Sequence, residues 1–427
     1  MKISKLHIDQ FRHLENLDFD FTYQSGDRKG QPLDKICFIG QSATGKTSLL
    51  EIIKERHISI NNCIVSNNVF SYKIEIPINF GQITFEHNDG SIQIENKKLH
   101  YNGQSFSYAN TGNFSNLLSD ATSSYIFYFK SNLISEKNIE LFTKNPTDLV
   151  EKYPGVNEKF ILTNIYSKEN PINFDENVDS DLWLILLNEI LNYRKNFTQK
   201  MSELIHKGLI ADAKKLGLEF QKWQIENPNK LESFAKEFNP LLEKLNLEVD
   251  LVNTEYSIPI KNKRTDEIIP IQDTSTGTKG LLLSFLPLFK LDTKDSIILI
   301  DEPERSLYPD MQMELMDHYQ RLAPDAQFIV ATHSPFIAAS FEAEERFILY
   351  FDEEGKVAVR RGTSPIGDDP NDMLKNDFKL ESLMNNKGVE AFEKYRDLKK
   401  RIASENSEVE KDKLLEEILS LANAYKF

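Results

Sequence analysis

A glycine-containing loop near the N-terminus constrains the fold of this chain more than any other feature. The loop runs from Gly40 to Thr47, follows the apolar run Ile36–Ile39 and precedes the apolar-rich segment Ser48–Ile53. Its glycines let the backbone wrap tightly, so that consecutive N–H groups and the N-terminus of the next helix face an anion. Lys46 adds a positive charge for phosphates, and the Thr47 hydroxyl is placed to bind Mg²⁺. This pattern predicts a strand, a loop and a helix that together bind a nucleoside triphosphate. The predicted nucleotide-binding residues here are Gly40, Gln41, Ser42, Ala43, Thr44, Gly45, Lys46, Thr47 and Ser48.

A second predicted strand, in the C-terminal half, ends in two carboxylates. The apolar run Ser296–Ile300 is followed directly by Asp301 and Glu302. In a phosphate-hydrolysing site the first carboxylate organises Mg²⁺, and the second lies beside the attacking water. We therefore predict that Asp301 binds the metal together with Thr47. Glu302 is the predicted general base, because a carboxylate within hydrogen-bond reach of water can remove its proton.

Two more polar motifs flank this acidic strand in the sequence. The apolar run Phe328–Thr332 ends in His333, whose neutral imidazole can sense the γ-phosphate and hold the water. With Lys46 and Glu302, His333 completes the predicted catalytic set. Upstream, Ser275 and Gly277 form a turn that opens a predicted helix, and such a helix N-terminus also presents N–H groups to an anion.

Composition limits the classes of protein to which the chain can belong. The net charge of −15 argues against a broad basic surface for nucleic acid, although it leaves room for a local basic groove. The two cysteines, Cys37 and Cys63, have no metal-ligand or disulfide spacing, which is typical of a reducing cytoplasm. The longest apolar stretch, Leu281–Phe289, is too short to span a bilayer, and the N-terminus has no secretory h-region. We expect a cytoplasmic protein with no membrane partner.

Alternating apolar and polar residues predict an antiparallel β subdomain in the first third of the chain. Its predicted strands are Lys73–Ile78 and Gln82–His87, with a turn at Asn88–Gly90. Residues 2–8 and 17–21 predict a hairpin that leads toward the phosphate loop, and Ile126–Phe129 predicts a separate buried strand. From Asp181 to about Leu247 apolar residues recur every three or four positions, which predicts an insertion of two or three helices. Its aromatic residues Trp223, Phe234 and Phe238 are predicted to be packing residues rather than part of a cofactor site.

Near the C-terminus, Phe347–Phe351 and Lys356–Arg360 predict a hairpin of the main sheet, with Asp352–Gly355 as its charged turn. No Glu and Asp-x-Asp pattern for a nuclease domain follows His333.

In this order, the motifs resemble those of the ABC-type ATPases of the RecF, SMC and overcoming-lysogenisation-defect group. In these proteins five elements follow one another in the same order. In this chain they correspond to Phe11–Arg12, the Walker A loop (Gly40–Thr47), the signature turn (Ser275–Gly277), the Walker B pair (Asp301–Glu302) and the switch histidine (His333). The resemblance implies an α/β P-loop ATPase head with an antiparallel β subdomain and a short helical insertion. It also implies a head-to-tail homodimer, or a higher homo-oligomer. In that dimer Ser275 and Gly277 of one subunit cap the ATP held by Lys46 of the other, and Arg12 joins the nucleotide site.

Three positions depart from the pattern of that group. Thr278 and Lys279 follow the signature where many relatives carry a glutamate and a second polar residue. Ser306 and Tyr308 occupy positions after Walker B at which histidines are frequent. No glutamine marks the expected magnesium-sensing loop near Phe129–Ser131. These departures predict that ATP turnover is slow or depends on assembly.

The C-terminal segment carries an apolar stripe on two charged predicted helices, about Lys387–Ile402 and Glu408–Ala424. The stripe consists of Leu398, Ile402, Leu415, Ile418 and Leu421. It can pack on the ATPase core or form a dock for a second protein. The segment is similar to the end of PtuA-type ATPase subunits of Septu and retron antiphage systems, whose partner is an HNH nuclease.

These patterns predict the ATPase subunit of a prokaryotic antiphage complex that controls a separate effector, such as an HNH-type nuclease or another operon neighbour. The alternative is a RecF-like repair ATPase that clamps duplex DNA. A transporter ATPase fits poorly, because its Walker A and signature are usually closer together. The DNA clamp would use basic residues of the helical insertion, namely Arg194, Lys195, Lys200, Lys207, Lys214 and Lys215.

We predict that the chain has four regions. Their bounds are 1–180 (Walker A and β subdomain), 181–250 (insertion), 251–360 (signature, Walker B and switch histidine) and 361–427 (C-terminal helices).

Overall fold

The computed structural model describes residues 1–65, 80–87, 90–95, 98–107, 124–152, 171–367 and 369–426. The chain divides into two compact units, Met1–Gly367 and Asp368–Phe427. The predicted strand Lys73–Ile78 and most of the turn at Asn88–Gly90 lie outside the described residues.

No helix within the described ranges is both long enough and apolar enough to cross a bilayer.

A seven-stranded sheet of the larger unit brings the motif-bearing strand ends together. Its strand β3 (Lys35–Gly40) lies between β14 (Gln327–Ala331) and β15 (Arg346–Phe351), and all three run parallel. Strand β13 (Ile297–Asp301) pairs in parallel with β14 on its other side. Because parallel strands end at the same edge, the residues after β3, β13 and β14 are neighbours. The predicted C-terminal hairpin is confirmed, since β15 pairs with the antiparallel edge strand β16. The other strands of this sheet are β8 (Ile126–Phe129), β9 (Ile172–Phe174) and β16 (Val357–Arg361).

A six-stranded antiparallel sheet forms the predicted β subdomain. Phenylalanines join it to the parallel sheet: the rings of Phe19 and Phe38 lie 5.8 Å apart, and those of Phe21 and Phe347 lie 5.0 Å apart. These four side chains are buried, so the two sheets share one apolar core. The strands, in the order β2-β1-β4-β5-β6-β7, are β1 (Lys2–Phe11), β2 (Leu14–Asp20), β4 (Gly81–His87), β5 (Gly90–Glu95), β6 (Lys98–Tyr101) and β7 (Gln104–Ser107). The predicted α/β fold class with an antiparallel subdomain is confirmed.

Two helices begin at the predicted motifs. The helix after the glycine-containing loop is α1 (Lys46–Val65), which packs on the parallel sheet, and Ser275 caps α7 (Thr276–Lys290). Other helices of the larger unit are α2 (Glu136–Ile139), α3 (Pro146–Lys152), α8 (Pro309–Leu322) and α9 (Pro335–Ala338).

Three helices occupy the region predicted as a helical insertion. They are α4 (Ser180–His206), α5 (Ala213–Glu226) and α6 (Lys230–Glu243), and each begins at an Asp or Asn whose side chain accepts a backbone hydrogen bond. Phe234 and Phe238 are fully buried and pack on Phe285 of α7. A small sheet follows, with strands β10 (Leu247–Val249), β11 (Ile260–Asn262) and β12 (Ile268–Ile269).

The smaller unit contains α10 (Pro370–Asn376), α11 (Asn386–Ser404) and α12 (Glu408–Tyr425). Its core consists of Leu398, Leu414 and Ile418, with Ile402 and Leu421 packed against it. The predicted stripe was therefore wrong at one position, because Leu415 is 47% exposed and Leu414 is buried in its place. The stripe joins α11 to α12, so the helix pair makes its own apolar core.

Candidate nucleotide site

The Walker A loop is held in shape by backbone conformations that favour glycine. Gly40 has φ 149°, and a Cβ atom there would lie 2.1 Å from the carbonyl oxygen of Leu349 in β15. Gly45 has φ 90°, and its Cβ would lie 2.8 Å from Leu14 in β2. Neither position can accept a side chain without a shift of its neighbours. The loop is therefore fixed between the two sheets, while Gln41, Ser42 and Ala43 at its tip remain exposed.

Lys46 lies beneath this loop with its ammonium turned toward the loop backbone. Its Nζ donates hydrogen bonds to the carbonyl oxygens of Gly40 and Gln41, each at 3.0 Å. Burial lowers the pKa of Lys46 to about 8, and the charges of Asp301 and Glu302 oppose that shift. The structure thus brings the predicted cation and both predicted Walker B carboxylates into one electrostatic cluster.

Thr47 and Asp301 form the contact expected of two Mg²⁺ ligands. The Thr47 hydroxyl lies 3.2 and 3.0 Å from the two carboxylate oxygens of Asp301. Burial raises the pKa of Asp301 to about 6, although the hydrogen bond from Thr47 favours the ionised form. Mg²⁺ commonly takes one or two protein oxygens and completes its shell with phosphate and water. The hydroxyl and carboxylate fit this pattern, and no group of three or more His, Cys, Asp or Glu side chains among the described residues offers a larger metal site.

Glu302 follows β13 with an unusual backbone conformation. Its φ is 54°, in the left-handed region, and its N–H donates to the carbonyl oxygen of Ala331 at 2.8 Å. A non-glycine residue there costs on the order of 1 kcal/mol, a cost often found at functional sites. A cavity of about 50 Å³ lies against Asp301 and Glu302, which is enough space for water.

Glu304 connects the Walker B turn to the strand end that carries His333. One of its carboxylate oxygens accepts the backbone N–H of His333 at 2.8 Å, and the other accepts the Thr332 hydroxyl at 2.7 Å. Burial raises the pKa of Glu304. Loss of hydration and the charge of Lys46 lower the pKa of His333, so its imidazole is neutral at pH 7. Sequence reasoning did not assign a role to Glu304, whose only signal was its place two residues after Glu302.

Replacing Glu304 with Gln is expected to lower both stability and turnover. A neutral amide has one oxygen for two donors, so at least one of the charge-assisted hydrogen bonds to the His333 N–H and the Thr332 hydroxyl is replaced by a weaker contact, at a cost of about 1–3 kcal/mol. Because these two bonds fix the strand end that carries His333, we expect kcat to fall about tenfold with little change in KM. Thermal unfolding and steady-state kinetics test this, with the exposed Glu353→Gln as matched control. Parent values of both kcat and melting temperature in Glu304→Gln would contradict the assignment.

Binding of Mg²⁺ and nucleotide is expected to decline on both sides of neutral pH. Asp301 must be ionised to bind the metal, so affinity falls as the pH drops below about 6. Lys46 must be protonated to bind phosphate, so affinity also falls as the pH rises above about 8. Each limb should approach about tenfold per pH unit. Titration calorimetry with Mg·ADP measures both limbs. Lys46→Arg should abolish the alkaline limb alone, and a decline that Lys46→Arg shares would contradict the role of Lys46.

Arg12 reaches the Walker A helix from the turn between β1 and β2. Its Nη1 donates to the Ser48 hydroxyl at 3.1 Å and forms an ion pair with Glu51 at 2.8 Å. Arg12 has φ 56° and is 54% exposed at its side chain. The structure thus places Arg12 beside the predicted nucleotide-binding residues, and Glu51 is a partner that the sequence did not reveal.

Lys130 follows strand β8, at the position where related ATPases have a magnesium-sensing glutamine. Its ammonium pairs with Asp175 at 2.7 Å. The next residue, Ser131, accepts a hydrogen bond from Arg305 at 2.6 Å through its carbonyl oxygen. Lys130, Ser131 and Arg305 line the same cavity as Asp301. A basic side chain therefore lies where a neutral amide was expected.

The predicted signature turn lies at the exposed N-terminus of α7. The Ser275 hydroxyl accepts the Thr278 N–H at 3.2 Å, which caps the helix. Gly277 packs on the loop after Walker B, because a Cβ there would lie 2.4 Å from the Ser306 carbonyl oxygen. In the described part of the chain no hydrogen bond joins Ser275 or Gly277 to the Walker A loop. Within one chain, Walker A is therefore bonded to Walker B, whereas the signature turn packs on the loop after Walker B and, in the described residues, makes no hydrogen bond to Walker A.

The basic groove that the alternative DNA clamp would use is not assembled on the insertion. Arg194 is buried and therefore cannot belong to an exposed groove. Lys200 and Lys207 both pair with Glu203, and Lys215 pairs with Asp212. These acidic neighbours offset the positive charge along α4 and α5. The remaining two lysines of the set are Lys195 and Lys214.

Comparison with known sequences identifies a family and one protein that is similar over a short segment. Residues 1–338 match the family model described as an AAA ATPase domain. The Septu protein PtuA of Bacillus thuringiensis is 33% identical over 72 residues, which are 17% of this chain and 18% of PtuA. The likeness to PtuA that the sequence predicts is confirmed over that segment.

Comparison with solved structures finds SMC head domains. The head domain from Thermotoga maritima is 14% identical with a TM-score of 0.39, covering 85% of this chain and 100% of that one. An Smc head bound to the C-terminal domain of ScpA, derived from Pyrococcus furiosus, is 15% identical with a TM-score of 0.39, covering 84% of this chain and 96% of that one. An SmcHead bound to the C-winged helix domain of ScpA is 14% identical with a TM-score of 0.40, covering 84% and 97%.

Proposed function

The chain belongs to the AAA ATPase domain family, and we propose that it is the ATP-hydrolysing subunit of a prokaryotic antiphage complex that controls a separate effector. The observation that carries the ATPase part is the contact between Thr47 and Asp301 beside the buried Lys46. The partial likeness to the Septu protein PtuA supports the antiphage part. An HNH-type nuclease, or another operon neighbour, is the proposed effector.

Hydrolysis is proposed to use the residues that the parallel sheet brings together. Lys46 exchanges its two carbonyl partners for phosphate oxygens of ATP. Glu302 removes a proton from the water that attacks the γ-phosphate, and the neutral His333 holds that water. Mg²⁺, held by Thr47 and Asp301, would offset the phosphate charge and act as a Lewis acid. Arg12 fixes the start of α1 through Ser48.

A second copy of the chain is proposed to complete the site. Ser275 and Thr276 at the N-terminus of α7 are exposed, and in the described residues no hydrogen bond or ion pair links them to Walker A of their own chain. A helix N-terminus attracts phosphate, so this exposed end can cap ATP bound to another subunit. The packing of Gly277 on the loop after Walker B links this cap to the hydrolytic residues of its own chain.

The C-terminal unit is the proposed docking element for the effector. Its helix α12 keeps apolar side chains exposed even though α11 and α12 already share a core. Val409 is 68% exposed, Leu419 is 52% exposed and Leu415 is 47% exposed. Apolar side chains outside a filled core are available to a protein partner.

Co-purification from the native operon tests this function. We expect the chain to bring down the product of a neighbouring gene, and we expect the nuclease activity of the isolated complex to differ with and without ATP. The Lys46→Ala complex should have lost that dependence on ATP. A chain that purifies alone and captures duplex DNA in an ATP-dependent, salt-sensitive manner would replace this proposal with the DNA clamp.

A further inference from the structure

A second cavity, remote in sequence from the Walker motifs, lies against the helical insertion. Its volume is about 350 Å³, and side chains of α4, the start of α3 and the segment 251–254 line it. Small-molecule sites usually occupy about 300–1,000 Å³ and combine apolar walls with a few polar groups. The cavity is thus of ligand size, and nothing in the proposed ATPase cycle uses it.

The cavity wall contains a buried positive charge. Arg194 is 7% exposed, and of the described residues that line the cavity it is the one with a charged side chain. It donates hydrogen bonds to the carbonyl oxygens of Ser257, at 3.3 Å, and Asn253. Burial lowers the pKa of Arg194 to about 10, so it stays protonated at neutral pH, and Asp250 acts on it from farther away. No carboxylate of the described residues lies within ion-pair distance.

A guanidinium offers five N–H donors, and the two carbonyls occupy two of them. Arg194 lines the cavity with donors left over for a ligand, and the lining residues that the structure describes include no carboxylate. Because a buried charge is costly without a partner, an anion that entered the cavity would be stabilised there.

Aromatic rings add an apolar surface to the cavity that contains the charged Arg194. Tyr193 and Phe197 line it, and their ring centroids lie 6.3 Å apart. The ring of Trp223 packs against both, with centroid distances of 5.9 Å to Tyr193 and 6.1 Å to Phe197. All three rings are partly exposed, so flat apolar surface is available to a planar ligand. Gln224 adds a side-chain amide to the wall, and among the described residues that amide has no partner.

We propose that this cavity binds a nucleoside monophosphate, with its base on the rings of Tyr193 and Phe197 and its phosphate on Arg194. Aromatic faces accept any base, whereas a guanidinium recognises phosphate through paired hydrogen bonds. The amide of Gln224 can bond to a base edge. This site is separate from the Walker A loop and does not depend on the proposed ATPase function.

Binding is tested by titrating AMP, GMP, CMP and UMP into the Lys46→Ala chain, so that the phosphate loop does not contribute. Calorimetry gives stoichiometry, and tryptophan fluorescence reports on Trp223 beside the cavity. We expect saturable binding of at least one mononucleotide, with one site per chain. Thr254→Phe, which fills the cavity, and Arg194→Lys, which keeps the charge but loses the planar fork, should each weaken binding at least about tenfold.

The exposed Thr265→Phe is the matched control and should bind like its parent. Circular dichroism and thermal melts establish that each variant is folded. Absence of saturable binding for all four mononucleotides would overturn the proposal. Unchanged affinity in a folded Thr254→Phe variant would also overturn it, because the ligand would then occupy another place.

Discussion

Replacing Glu302 with Gln is expected to lower the rate of ATP hydrolysis by about 100-fold to 10,000-fold while ATP still binds. Glutamine keeps the size of the side chain but cannot take a proton from water, and general-base catalysis contributes on that order. The ligands of the nucleotide are untouched, because Lys46, Thr47 and Asp301 make their contacts without Glu302. Single-turnover phosphate release measures the loss, and equilibrium binding of ATP measures what remains.

Glu353→Gln is the matched control for this variant, since Glu353 lies exposed in the turn between β15 and β16. It should hydrolyse ATP at the parent rate. If Glu302→Gln also hydrolyses ATP at the parent rate, Glu302 is not the general base and another group must activate the water.

Replacing Lys46 with Ala is expected to weaken ATP binding by about 3 kcal/mol, or roughly two orders of magnitude in Kd. The side chain is buried under the loop, and its ammonium is the basic group that lies against the Gly40 and Gln41 carbonyls. Removing it leaves the phosphates to the backbone N–H groups. Calorimetry with Mg·ATP measures the change.

Loss of affinity must be separated from loss of fold in Lys46→Ala. Because burial disfavours the charged amine, the variant should be as stable as the parent chain or slightly more stable in the absence of nucleotide. Lys29→Ala, at an exposed loop position, should leave both affinity and stability unchanged. A Kd for Lys46→Ala equal to that of the parent would show that phosphate binds elsewhere.

The sequence predicted those parts of the site that depend on short-range patterns. Gly40, Gly45 and Lys46 occupy one loop whose conformation follows from the spacing of glycines between a strand and a helix. Asp301 and His333 each end a buried parallel strand, so their meeting follows from the rule that parallel strands share an edge. Local pattern and sheet geometry therefore sufficed for the Walker residues.

Contacts that depend on tertiary packing were not predictable in this way. Glu304 binds the backbone of His333 across two strand ends, and no spacing in the sequence marks such a bond. Periodicity cannot tell Leu414 from Leu415 on α12, because a small rotation of the helix exchanges them. Arg194 was assigned to a basic face, yet carbonyl groups of a distant loop bury it.

The mass of the Glu302→Gln chain with and without Mg·ATP tests the central claim, that ATP joins two copies of this protein. The mass of one chain is 49.3 kDa. With ATP we expect a species of at least twice that mass, which Ser275→Arg should prevent and the exposed Ser25→Arg should not. A single-chain mass in the presence of bound ATP would contradict the account, because the site would then be complete within one subunit.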